Sequence, residues 1–353
     1  MVVLAEVPGA QVSLQCDVCI PPVLTVGAPQ QLKRVGWTLR SEGHPVDACL
    51  NCTAHFAPRQ RVARSDAAPT SPDPARLPNG IVIGAMKAGT TSMHNYLDVH
   101  PDVAVSTEKE MRFFSDPDAL GWIGRYQDHF PTGTRYRVES SPQYTKFPVV
   151  PGVVDRMADL VPDARLIYLV RDPIDRIVAD YVEQVQWHAA HRTLDEEVVD
   201  AADPANAVLA SSRYATQLEE FRRRFPAEQI LVLDLADLGS DVVGTMARVF
   251  TFLGLTPPEA TADDYGRHNT LEEKYQVPGW VVRLRRGPLL RAVRRLPAGP
   301  RRMISMAAWR RPGNLVERPT LAPETQARLR EVLAPEAQRL REMTGQSFAH
   351  WSV

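Results

Sequence analysis

The chain has 353 residues, enough for one large core or one core with a small appendage. Its 41 basic and 42 acidic residues nearly cancel, so no general attraction to nucleic acid is expected. No run approaches the ~20 apolar residues that span a bilayer, and the opening "MVVLAEVPGAQVSLQ" lacks a basic leader and is broken by Glu6 and Pro8. The expectation is a soluble, cytoplasmic protein without a secretion signal.

All four cysteines fall early, as "CDVC" (Cys16, Cys19) and "CLNC" (Cys49, Cys52). Two thiolates two residues apart can ligate one metal from a tight turn, so the paired knuckles suggest a tetrahedral structural zinc site. The long spacer between the pairs weakens the match to a ribbon pattern, and disulfides are the competing reading, disfavoured in a reducing compartment. Residues 1–53 thus resemble a small four-cysteine zinc ribbon. Residues 54–79, "AHFAPRQRVARSDAAPTSPDPARLPN", are rich in Pro, Ala, Ser and Arg without periodicity and read as a linker.

From Gly80 the pattern alternates. Short apolar strands are expected at residues 81–85, 103–107, 136–141, 164–170 and 229–235, and helices at 91–99, 149–160, 174–190, 205–225 and 241–253. Buried strands separated by helices of this length predict an α/β fold over residues 80–353, a P-loop-type parallel sheet flanked by helices. Residues 280–311 differ: from Trp280 to Arg311 ten arginines stand among apolar residues and prolines. They read either as solvated basic helices on the core or as a surface for an anionic or membrane-bound acceptor.

The first strand runs into "GIVIGAMKAGTTSMHNYL". A phosphate loop is usually G-x-x-x-x-G-K-[ST]. Gly84 and Gly89 have that separation, but Thr90 follows the second glycine and the lysine sits inside the loop, at Lys87. Lysine is scarce in this chain, with five against 36 arginines, so its place here invites a chemical reason. The backbone around Ala88, Gly89, Thr90 and Thr91, the positive end of the next helix and the hydroxyls of Thr90, Thr91 and Ser92 could cradle a phosphate. A triphosphatase would place its lysine on the terminal phosphates and add an acidic magnesium ligand. A lysine at the loop's crown can instead neutralise charge on a bridging oxygen as its bond breaks.

"GAMKAGTTSMHNYL" resembles the 5′-phosphosulfate loop of sulfotransferases that use 3′-phosphoadenosine 5′-phosphosulfate (PAPS), in the bacterial and heparan-sulfate-type branch. "KEMRFF", "ESSPQY", "YLVRDPIDRIVADY", "SRYATQLEEFRRRFP", "VFTFLGL" and a closing "RPTLAPETQARLREVLAPEAQRLREMTG" follow in the order of that family. The resemblance begins near Asn79 and excludes the cysteine segment. It implies sulfuryl transfer to an acceptor hydroxyl of a carbohydrate, glycolipid or secondary metabolite, with adenosine 3′,5′-bisphosphate as product. Lys87 would stabilise the leaving phosphate, and Glu110 would be the general base, with Glu108, His94 and His129 as rivals. Arg171 would clasp the 3′-phosphate, Arg176 would pair with a neighbouring acid, Tyr214 would touch the nucleotide or pack in the core, and Tyr144 would lie near the acceptor side. "RHNTLEEK" (267–274) would lie over the adenosine. The chain departs from the family at Ala179, where members usually carry a phosphate-binding serine; Asp180 and Tyr181 are poor substitutes. Two readings compete: a P-loop small-molecule kinase or nucleotide hydrolase, and a non-catalytic zinc-ribbon interaction protein.

Overall fold

The computed structural model describes residues 71–186, 192–266 and 318–353, together with the backbone of three short strands near the N-terminus. These strands, β1 (Val2–Val3), β2 (Val12–Gln15) and β3 (Leu24–Val26), pair antiparallel in the order β1-β2-β3. The four cysteines, residues 267–274 and residues 280–311 lie outside the described residues, and with them the expected zinc site, adenosine loop and acceptor-facing surface.

Five further strands carry the α/β domain: β4 (Gly80–Gly84), β5 (Val103–Val105), β6 (Tyr136–Ser140), β7 (Arg165–Val170) and β8 (Ile230–Asp234). All are parallel, in the order β5-β6-β4-β7-β8. β4 is buried throughout and β7 nearly so, as runs like "GIVIG" and "RLIYLV" must be when helices cover both faces of a sheet. From β4 the chain goes to β5 and β6 on one side, then crosses to β7 and β8 on the other. The direction of winding therefore reverses at β4, and the crevice beyond the carboxyl ends of β4, β6 and β7 is where such a sheet takes a ligand.

The main helices are α1 (Thr90–Leu97), α2 (Val153–Leu160), α3 (Pro173–Gln186), α4 (Tyr214–Arg222), α5 (Val242–Phe252) and α6 (Pro323–Thr344). α2 starts later than its apolar pattern suggested because Gly152, at φ 72°, turns the chain immediately before it. The single helix expected over 205–225 is broken into a short turn, Ala207–Ala210, and α4. A long-range contact explains the break. The fully buried Arg176 donates to the Val208 carbonyl, which a continuous helix would offer to the Ser212 N–H, and, at 2.5 Å, to the Ser212 hydroxyl. α6 opens with Pro323 and stops at Gly345, φ 70°, the expected start and stop chemistry, and it continues through Pro335. Beyond it, Trp351 donates to Asp234 Oδ2 at 2.9 Å, tying the tail to the end of β8.

Residues 73–79, at the end of the expected linker, are docked on the domain. Asp73 caps the turn Pro74–Arg76, Leu77 is buried, and Arg137 donates from Nε to the Leu77 carbonyl at 2.7 Å. This anchoring uses turn side chains and lone backbone groups rather than an apolar stripe, so it left no periodicity to read. Among the described residues no helix is long and apolar enough to cross a membrane.

Candidate active site

The loop from Gly84 to Gly89 leaves β4 at the crevice. Its two glycines are required by close packing: a Cβ at Gly84 would meet Thr145 Oγ1 at 1.9 Å, and one at Gly89 would sit 2.6 Å from Leu235 Cδ1. Gly89 also has φ 90°, which lets the chain turn directly into α1. The Ala88 N–H is spent inside the loop, on the Ala85 carbonyl at 3.1 Å, and Ala88 is wholly buried. Ala88 therefore supports the loop from beneath, while Thr90, Thr91 and Ser92 form the first turn of α1, where backbone N–H groups have no internal acceptors.

Lys87 occupies the left-handed region at φ 69°. Its ammonium group forms an ion pair with Glu183, on α3. Arg171, just beyond β7, donates to the Lys87 carbonyl at 3.3 Å and faces Asp175 at 3.5 Å. Lysine, arginine and helix end thus converge on one side of the crevice.

The opposite side is the segment after β5. Glu110 and Arg112 are also left-handed, at φ 62° and 59°. Of the four non-glycine residues with positive φ among the described residues, three are therefore Lys87, Glu110 and Arg112, and such conformations persist where the surroundings over-determine them. Here the surroundings are hydrogen bonds from β6. The Glu110 N–H donates to the Ser140 carbonyl at 2.9 Å, and the Arg112 N–H to Ser141 Oγ at 3.0 Å. Ser141 in turn donates to Glu139 at 2.6 Å, and Glu139 is fully buried and also accepts from Tyr126 at 2.8 Å and Tyr144 at 2.7 Å. Burial, then the charge of Glu139, pushes both tyrosine hydroxyls well above their ordinary value, so they keep their protons and donate. Tyr144 is thereby a core residue rather than part of an acceptor surface.

Burial pushes the Glu110 carboxyl up, but Lys109 overrides it: Lys109 Nζ lies 2.5 Å from Glu110 Oε1. With Arg112 and Lys87 adding to its field, the carboxyl falls below its ordinary range and is ionised. Among the rivals, Glu108 is half-exposed and turned toward His129, 4.0 Å away, while His129 is bonded to Thr107 at 2.7 Å. His94, buried on α1, meets Ser140 Oγ at 3.0 Å. Burial, and then Lys109, lowers it to about 4, so its ring is neutral at physiological pH.

Comparison with known proteins shows what the chain is similar to. Residues 116–259 match the family model described as "Sulfotransferase family". The human "Bifunctional heparan sulfate N-deacetylase/N-sulfotransferase 2" is 31% identical over 202 residues, covering 52% of this chain and 22% of that protein. The mouse "Heparan sulfate glucosamine 3-O-sulfotransferase 3B1" is 31% identical over 210 residues, 54% of this chain and 52% of that protein. The chain thus spans about a fifth to a half of these relatives. A sulfotransferase crystal structure from Alicyclobacillus acidocaldarius shares the fold at a TM-score of 0.55 and 21% identity, over 78% of this chain and 99% of that one.

Around the carboxyl ends of β4, β6 and β7 the fold gathers Lys87, Thr90, Thr91, Ser92, Glu110 and Arg171. Tyr214 does not join them. It is 1% exposed and packs edge-on against Tyr168 and tilted against Trp351, with ring centres 6.1 and 5.5 Å apart, so its ring belongs to the core. Arg176 is buried and faces Asp180 at 3.5 Å. Sequence reasoning missed Glu183, Ser140 and Glu139. Glu183 stands one turn beyond Ala179 and two beyond Asp175 on α3, and that spacing was a readable signal. Among the described residues no group of three or more His, Cys, Asp or Glu side chains could hold a metal ion.

Proposed function

We propose that this chain transfers a sulfuryl group from PAPS to an acceptor hydroxyl, releasing adenosine 3′,5′-bisphosphate. The observation that carries the reading is the pairing of a crown-placed loop lysine, Lys87, with an ionised carboxylate, Glu110, across one crevice. The group fits the residues present: two cations, the first turn of α1 and a glycine-bounded loop that a Cβ would obstruct all suit an anionic nucleotide. A lysine that follows the second glycine and serves a γ-phosphate is lacking, and Thr90 stands there instead.

In this reading Glu110 accepts the proton of the acceptor hydroxyl as its oxygen attacks sulfur. The bond from sulfur to the 5′-phosphate oxygen breaks, its electron pair stays on that oxygen, and Lys87 neutralises the charge that develops there. Lys109 keeps Glu110 ionised beforehand. An anionic donor close to Lys87 would offset part of that positive field and raise the basicity of Glu110 when it is needed. Arg171 would hold the 3′-phosphate as a planar fork. Both relatives' names join sulfotransfer to a glycan, one at nitrogen and one at oxygen, and the 3-O-sulfotransferase supports a hydroxyl on a carbohydrate, a glycolipid or a comparable metabolite as acceptor.

Calorimetric titration of adenosine 3′,5′-bisphosphate into the wild type and Lys87→Ala tests the donor side, followed by radiolabelled PAPS with a panel of hydroxyl compounds. Binding that Lys87→Ala weakens is the expected result. A folded wild type that binds no bisphosphate overturns the reading.

A further inference from the structure

Each cation assigned to the donor side already has an acid against it. Lys87 pairs with Glu183, and Arg171 Nη2 lies 3.5 Å from Asp175 Oδ2. Both acids come from α3, at positions 175 and 183, with Ala179 midway between them, so all three share one helical face. The two pairs differ in what else holds the acid. Asp175 is also bound by Arg318 at 2.5 Å, and its backbone N–H is held by the Asp172 carboxylate, which caps the helix end, at 2.8 Å. Glu183 has Lys87 as its cation and is 39% exposed, against 18% for the lysine side chain. A half-shielded pair of this kind forms in water yet exchanges easily, because its net stabilisation is small.

We propose that Glu183 is an exchangeable counter-anion for Lys87, occupying the loop lysine when no nucleotide is bound and yielding it to the incoming phosphate. The inference rests on the donor reading above and adds a residue that sets nucleotide affinity. Binding then breaks one ion pair to make another, so the nucleotide binds less tightly than the cradle's cations alone would allow. Release runs in reverse: the Glu183 carboxylate recaptures Lys87 as the bisphosphate departs, which speeds dissociation. Asp175, held by a second cation, stays in place and orients Arg171 throughout.

The test is calorimetric titration of adenosine 3′,5′-bisphosphate into wild type, Glu183→Gln and Glu183→Ala at one ionic strength, with circular dichroism to verify folding. Exchange requires both variants to bind about two- to fivefold more tightly, the range set by a partly exposed pair. The gain should appear as slower dissociation in stopped-flow. Unchanged or weaker binding in either variant, with normal binding by the wild type, overturns the exchange and leaves the donor reading standing; weaker binding would mean that Glu183 positions Lys87 for the phosphate. Tightening confined to Glu183→Gln would come from its new amide and overturns it as well. A folded wild type that binds nothing removes the donor reading itself.

Discussion

The two sides of the crevice are held by different physics. On the donor side the backbone does the shaping: Gly84 and Gly89 pack where no side chain fits, and the turn leads into the end of α1. On the acceptor side the shape comes from outside the segment. Residues 109–112 have no glycine, yet two of them are left-handed because the end of β6 supplies the Ser140 carbonyl, the next residue supplies the Ser141 hydroxyl, and buried Glu139 fixes Ser141. The first side can be recognised from a local string, and the second depends on a hydrogen-bond chain that starts in the core. Damage should accordingly stay local on the donor side and spread from a distance on the acceptor side.

The largest expected effect is that of Glu110→Gln, which should lower turnover by about 10²–10⁴-fold while bisphosphate binding persists; loss of binding in calorimetry would break the division into two sides. The same base predicts an acidic limb in kcat/KM below the ordinary carboxylate range. Replacing Lys109 with Met removes the main charge that lowers Glu110, so the limb should move to higher pH. Lys87→Ala should cost about 10²–10³-fold in turnover and weaken bisphosphate binding as well, which sets it apart from Glu110→Gln in a paired kinetic and binding measurement.

His94 sharpens the comparison through stability. Its value falls from 6.5 to about 4 on folding, so the unfolded chain binds the extra proton between those limits. Stability is full above about pH 6.5 and declines as pH falls toward 4, by roughly 2–3 kcal/mol at the lower end. Thermal melts of His94→Gln should show a smaller loss over that window than the wild type.

Glu139→Gln should destabilise the fold by about 1–3 kcal/mol, because three buried hydroxyl donors lose their shared carboxylate. Turnover should fall with it at temperatures where the protein is still folded, since the support of Arg112 and Glu110 is loosened. A thermal shift without any change in turnover would show that the segment keeps its conformation without the core. The smallest effect is that of Ala179→Ser, which places a hydroxyl between Asp175 and Glu183. A gain of ~1 kcal/mol, or about fivefold, in bisphosphate affinity is expected; no change would mean that this position, 4% exposed, meets only protein.

The sequence alone determined the five parallel strands and the glycine-bounded loop after the first of them, because apolar periodicity and glycine spacing are properties of contiguous residues. Only the family resemblance put Glu110 ahead of Glu108, two residues away; tertiary contacts turned Glu108 toward His129 and folded Glu110 against Ser140 and Lys109. The sequence could not show that Arg176 would break the helix expected over 205–225, that Tyr214 would be walled in by Tyr168 and Trp351, or that Glu183 would meet Lys87. Each of those outcomes joins elements far apart in the chain. Whether a side chain faces a ligand, the core or a counter-charge is fixed only when those elements pack.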